Sequence, residues 1–203
     1  MNPSQKPKQE LYDLVDQIMS EALKQGATAA EAEFGTGTGL SVTARLGEVE
    51  KIEHERDKAL GVTVYIDHKK GTASSSDFSA AAIRETVTAA CNIARFASED
   101  DCAGLAEAEL MARDVPELDL YFPWDITPEA ATELAINCET VARDSDPRIR
   151  NSDGCVVSSY AGEHVYGNTH GFTGGWCWSS HMLDCTVIAE DETGMQRDGW
   201  YSK

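Results

Sequence analysis

Between residues 29 and 76, apolar and β-branched side chains return at every second position, in "AEAEF", "LSVTARL", "EVEKIEHE" and "LGVTVYID". A period of two puts alternate side chains on opposite faces of an extended backbone, which commits this stretch to sheet. Gly-rich breaks separate the runs, so the stretch reads as an antiparallel meander of about five strands. "LGE" at 46–48 and "DHKKG" at 67–71 are short enough to be hairpin turns.

Helical periodicity flanks the meander. Leu11, Leu14, Val15, Ile18, Met19, Ala22 and Leu23 share one helical face, with Gly26 where a C-terminal cap belongs. A second helix is predicted over 80–97, capped by Ser79, with Ile83, Val87, Ala90, Cys91 and Ala94 inward. Residues 98–125 are acidic and proline-punctuated and read as a connection. The domain boundary is placed near Pro116, between an N-terminal α+β domain (1–115) and a helix plus β-meander (116–203). Thr127 and Pro128 open a third helix with the stripe Ala131, Leu134, Ala135, Cys138, Val141 and Ala142. From Arg148 onward "IRNSDGCVVSSY", "EHVYGNTHGF", "GGWCWSSHMLDCTVIAE" and "GMQRDGWYSK" read as further strands. The chain stops at Lys203 inside the last run without a closing element, so the natural protein is expected to continue. The expected class is α+β: an antiparallel sheet with packed helices, then the start of a second β-rich domain.

Charge narrows the partners. Acids outnumber bases 35 to 17 and the formal charge is −18, with no basic cluster larger than Lys69-Lys70. Such a surface repels phosphate backbones and anionic lipid, which argues against direct nucleic-acid or membrane binding. "MNPSQKPKQE" leads into an amphipathic segment with acids and not into an apolar one, so it does not read as a signal peptide, and a cytoplasmic location is expected. Six cysteines without a C-x-x-C pair then read as reduced thiols, most of them in or near the core.

Four groups of residues invite a chemical reading. Ser74, Ser75, Ser76 and Asp77 follow His68, yet no G-x-S-x-G elbow is present. Serines before a helix satisfy its free N–H groups, and a cap is the expectation there. "FGTGTGLSV" at 34–42 runs into a strand and not a helix, so a flexible hairpin is expected in place of a phosphate loop. His54-Glu55 has no second histidine at zincin spacing. The richest ligand group is His164, His170, Cys177, His181 and Cys185. Cys177, His181 and Cys185 recur every four residues, which on one strand leaves neighbours roughly 13 Å apart. Zinc needs ligands within about 2.3 Å, so the three read as half-buried sheet residues unless a turn brings them together.

As an ordered set, "GEVEKIEHERDKALGVTVYIDHKKGTASSSDFS", "ARFASEDDCAGLA", "DPRIRNSDGCVVSSYAGEHVYGNTHGF" and "CTVIAEDETGMQRDGWYSK" resemble the N-terminal part of the PmbA/TldD metalloprotease family. "ALGVTVY", "VYGNTHG" and "VIAEDETGMQRD" are more similar to its PmbA (TldE) branch than to TldD. The resemblance implies a bacterial cytoplasmic protein that pairs with a TldD-type subunit in a heteromeric metalloprotease (peptidase U62). That complex acts in proteolysis and peptide maturation, and the family also carries the label of modulator of DNA gyrase; separately, the final strand run is expected to hold an unfolded peptide substrate by adding it to a sheet edge. It further implies zinc held by an H-E-x-x-x-H helix of the TldD partner. Nothing in this chain matches that motif, since Arg56, Asp57, Lys58 and Ala59 follow His54-Glu55. No catalytic, cofactor-binding or metal-binding residue is therefore carried over, and a non-catalytic partner subunit is expected. The alternatives are a protein-binding scaffold of the gyrase-modulator kind and an independent Cys/His site at Cys177, His181 and Cys185.

Overall fold

The computed structural model describes residues 6–114 and 116–203. The first five residues of the leader reading, and Val115 at the end of the first expected domain, lie outside the described residues. In chain order the elements are α1 (Gln9–Lys24), β1 (Ala29–Arg45), β2 (Glu48–Ile66), β3 (Lys69–Ser75), α2 (Ala80–Phe96), α3 (Pro128–Asp144), β4 (Ile149–Asn168), β5 (Thr173–Asp191) and β6 (Gly194–Ser202). A short 3-10 turn at Ala108–Leu110 lies in the connection. The strands form one six-stranded antiparallel sheet in the order β3-β2-β1-β4-β5-β6, and the α+β reading holds.

Two compact units are each assembled from three stretches. The first comprises Met1–Thr36, Asp57–Leu120 and Gly162–Trp178. In its core Val15, Ile18 and Ala22 of α1 and Ile83, Val87, Ala90 and Ala94 of α2 cover Phe34, Leu60, Val62, Val64 and Val165 of the sheet. The second comprises Gly37–Arg56, Tyr121–Ala161 and Ser179–Lys203. There Ala131 and Ala135 of α3 pack on Leu40, Val42, Ala44, Cys155 and Val157. In both, the sheet residues recur at every second position, as a one-sided sheet requires.

Strands are fewer and longer than the glycine spacing predicts. Residues 29–75 form three strands and not about five, and the break read at 161–162 lies inside β4. The supposed hairpin at 34–42 is likewise strand interior. These glycines mark close approach and not reversal. A side chain at Gly39 would run into the Tyr160 ring, and one at Gly162 into the Thr36 carbonyl and the Trp178 indole.

The helix caps follow the sequence. Ser79 Oγ accepts the Ala82 N–H at 3.3 Å, and Thr127 Oγ1 accepts the Ala130 N–H at 3.2 Å. The Asp77 carboxylate accepts the Ser79 N–H at 2.9 Å, a bond that holds its carboxyl below the ordinary value. The inner face of α3 departs from its apolar stripe. Leu134 and Val141 are 36% and 73% exposed, whereas Glu139 is fully buried. Its two oxygens accept the N–H groups of Leu46 (2.8 Å) and Gly47 (2.9 Å). Both turn residues have positive φ, 54° and 81°, so the two-residue β1–β2 loop is of type I′. A hydrophobic period cannot register a carboxylate whose partners are backbone donors of a distant turn.

Candidate functional site

The residues singled out in the C-terminal part do not converge. Cys177, His181 and Cys185 lie along β5 with no turn between them, so the bend that a shared zinc ion required is absent. The His164 ring lies against Trp176, with centroids 4.5 Å apart, and its Nε2 is 3.9 Å from a Glu33 oxygen. His170 sits in the β4–β5 turn, where its backbone N–H donates to Asn168 Oδ1 at 3.0 Å. His54 is exposed on β2.

His181 ties down a segment. Its Nε2 is 2.8 Å from the Phe122 carbonyl, and since a carbonyl only accepts, Nε2 carries the proton. Its Nδ1 is 3.1 Å from Ser159 Oγ, whose hydroxyl also reaches the Trp124 carbonyl at 3.2 Å. The Trp124 ring meets the imidazole edge-on at 5.6 Å, and the Phe122 N–H donates to Ser179 Oγ at 2.8 Å. Together these contacts strap 122–124 to β4 and β5. His181 is a bonded structural histidine.

In the other unit a carboxylate is shared between two phenols. Tyr65 and Tyr166 donate to Glu31 at 2.9 and 2.8 Å, and Asn168 Nδ2 donates to the Tyr166 oxygen at 3.3 Å. Burial, then the bond to Glu31, pushes the Tyr65 phenol up to about 12. The network joins β1, β2 and β4, and its phenols stay protonated at neutral pH.

One metal-competent group does form, and sequence reading missed two of its members. The sulfurs of Cys138 on α3, Cys155 on β4 and Cys185 on β5 all lie within 4.8 Å of one another. Cys155 is buried and the other two are half-buried; all six cysteines of the chain are free. The sequence signal was present, since Cys138 belongs to the inner stripe of α3 and Cys155 and Cys185 lie in predicted strands. What the sequence lacked was the pairing of β4 with β5. Burial first, then the neighbouring thiols, pushes the Cys155 thiol far above its usual range, and burial pushes Cys185 up to about 11. These are protonated, unreactive thiols in the absence of a bound ion.

The cluster does not fit a hydrolytic zinc. Such a site keeps an open position for water and a base beside it. Here the sulfurs pack with Ala131, Ala135, Val157 and Leu183, and the nearby Glu139 has both oxygens committed to the β1–β2 turn. No hydrolytic step can be assigned to these residues.

Comparison with known proteins places the chain. Sequence models of the PmbA/TldA metallopeptidase match twice, domain 1 over residues 30–94 and the central domain over residues 121–203. This chain belongs to the PmbA/TldD family. Within that family it is 44% identical over 192 residues to the metalloprotease PmbA of Escherichia coli O157:H7, covering 93% of this chain and 43% of that protein. It is 44% identical over 194 residues to a metalloprotease PmbA homolog of Haemophilus influenzae, covering 96% and 43%. The chain thus spans less than half the length of these PmbA relatives. Its fold is similar to the crystal structure of a candidate modulator of DNA gyrase from Bacteroides thetaiotaomicron (TM-score 0.86, 20% identity, 96% of this chain and 45% of that one). It is also similar to TldE from Thermococcus kodakarensis (TM-score 0.74, 14% identity, 93% and 42%).

Proposed function

We propose that this chain is the N-terminal part of a PmbA (TldE)-type subunit that works with a TldD-type partner as a heteromeric metalloprotease, in proteolysis and peptide maturation. The observation that carries the reading is the 44% identity to two PmbA metalloproteases over nearly the whole chain. In this reading the subunit contributes no catalytic group, and the partner holds zinc. The location is cytoplasmic; no helix among the described residues is long and apolar enough to cross a membrane. The boundary between 115 and 116 belongs to the same reading, supported by separate family domains matching on either side of it.

Substrate contact is assigned to the sheet edge. Among the described residues β6 ends the strand order and is exposed along its length, with Trp200 at 85%. An unfolded peptide can pair with such an edge through backbone hydrogen bonds.

The test is cleavage of an unfolded peptide by the purified chain alone, by a TldD-type subunit alone, and by the two mixed. The expected result is no cleavage by the chain alone and an altered rate or cleavage pattern in the mixture. Chelator-sensitive cleavage by the chain alone overturns the non-catalytic assignment. An unaltered partner reaction favours the scaffold reading.

A further inference from the structure

We infer that Cys138, Cys155 and Cys185 form a three-coordinate thiolate site for a soft monovalent metal ion, copper(I). The assignment rests on the geometry of the cluster and is independent of any peptidase role. Three sulfurs arrive from three different elements, α3, β4 and β5, and lie within 4.8 Å of one another. An ion bonded to three sulfurs at about 2.3 Å sets them roughly 4.0 Å apart, so the thiols need to close by less than about 1 Å. Core packing around Ala131, Ala135 and Val157 already holds the strands and the helix that carry them.

The donor set selects the ion. All three ligands are sulfur, which excludes hard oxygen-seeking cations and favours copper(I) or zinc. Structural zinc takes four ligands, and the cluster offers three. Glu139, next to Cys138 on α3, spends both oxygens on the N–H groups of Leu46 and Gly47. Copper(I) is satisfied by three thiolates. Cys138 and Cys185 are half-buried, so an ion has a way in, while buried Cys155 closes the inner side. Each thiol that ligates releases its proton to solvent and forms a sulfur–copper bond, and no electron is transferred.

The test is an anaerobic titration of the purified full chain with copper(I) against the chromogenic chelator bicinchoninate. The expected result is one tightly held ion per chain. Cys138→Ser and Cys185→Ser, at half-buried positions, are expected to weaken retention about tenfold or more, since outer-shell changes alone cost that much. Cys102→Ser, exposed and outside the cluster, retains the ion. Circular dichroism checks that each variant folds. X-ray absorption at the copper edge of the loaded wild type reads the donors without any substitution, and three sulfur neighbours support the site. Copper lost to the chelator as readily from wild type as from Cys138→Ser, or nitrogen and oxygen neighbours at the edge, overturns it.

Discussion

Replacing Glu139 removes the acceptor for two N–H groups at once. Leu46 sits in the left-handed region, an unfavourable place for a branched side chain, and the carboxylate helps hold it there. Glu139→Gln keeps the shape but turns an NH2 toward one of the two donors. A loss of about 2 kcal/mol at neutral pH is expected. Burial pushes this carboxyl upward, yet the Ser152 hydroxyl, the Leu46 and Gly47 N–H groups and nearby Arg143 outweigh it and hold it below the ordinary 4.5. A folded value below the unfolded one means the contribution is complete above the unfolded value and disappears as pH falls through the folded one. Melts of wild type and Glu139→Gln should therefore differ at neutral pH and converge in acid. A constant gap down to about pH 3 would show that ionisation is not the source. Little of this was legible in the sequence. Ser79 and Thr127 announce themselves as caps because their acceptors lie three residues on, whereas the partners of Glu139 lie in a turn more than ninety residues back.

At the level of elements, glycines decide how strands and helices approach. α2 lies on β3, and a methyl group at Gly71 would meet the Ala90 carbonyl and the Ala94 backbone. Neither can rotate away, so Gly71→Ala is expected to destabilise by about 3 kcal/mol, the upper end of overpacking costs. Gly39→Ala meets first the Tyr160 ring, a side chain and not a backbone, and is expected to cost less. Ser79→Ala, which removes the α2 cap, should cost about 1 kcal/mol. Urea denaturation of the three variants checks the ranking, and a Gly71→Ala chain as stable as wild type would refute the close contact. The alternation in β1 and β2 was legible, because a one-sided sheet imposes period two on its inner residues. The strand ends were not, because Gly39 and Gly162 look the same in sequence whether the chain reverses there or a neighbouring aromatic ring lies across it. The thiol cluster escaped the sequence for a related reason. Cys177, His181 and Cys185 are regularly spaced along one strand, but the cysteines that meet are brought together by strand order and by the seating of α3.

For the whole molecule, the edge strand makes the functional reading measurable. A peptide bound along β6 should be protected from an added protease, and absence of protection would sink the sheet-edge assignment while leaving family membership untouched. The interleaving of the two units also bears on how the protein is made. Val165 completes the core of the unit that Leu11 begins, and Leu183 and Cys185 complete the core that Leu40 begins. Neither core can close while the first strands are leaving the ribosome. The clamp on the β1–β2 turn is late as well: Glu139 follows Leu46 by 93 residues, roughly 5–20 s of synthesis at ordinary rates. Until then the nascent hairpin offers its turn N–H groups to water alone, and Leu46 is free to leave the left-handed region. The finished geometry of that hairpin is thus acquired only when the third helix arrives, and not when the hairpin itself is made.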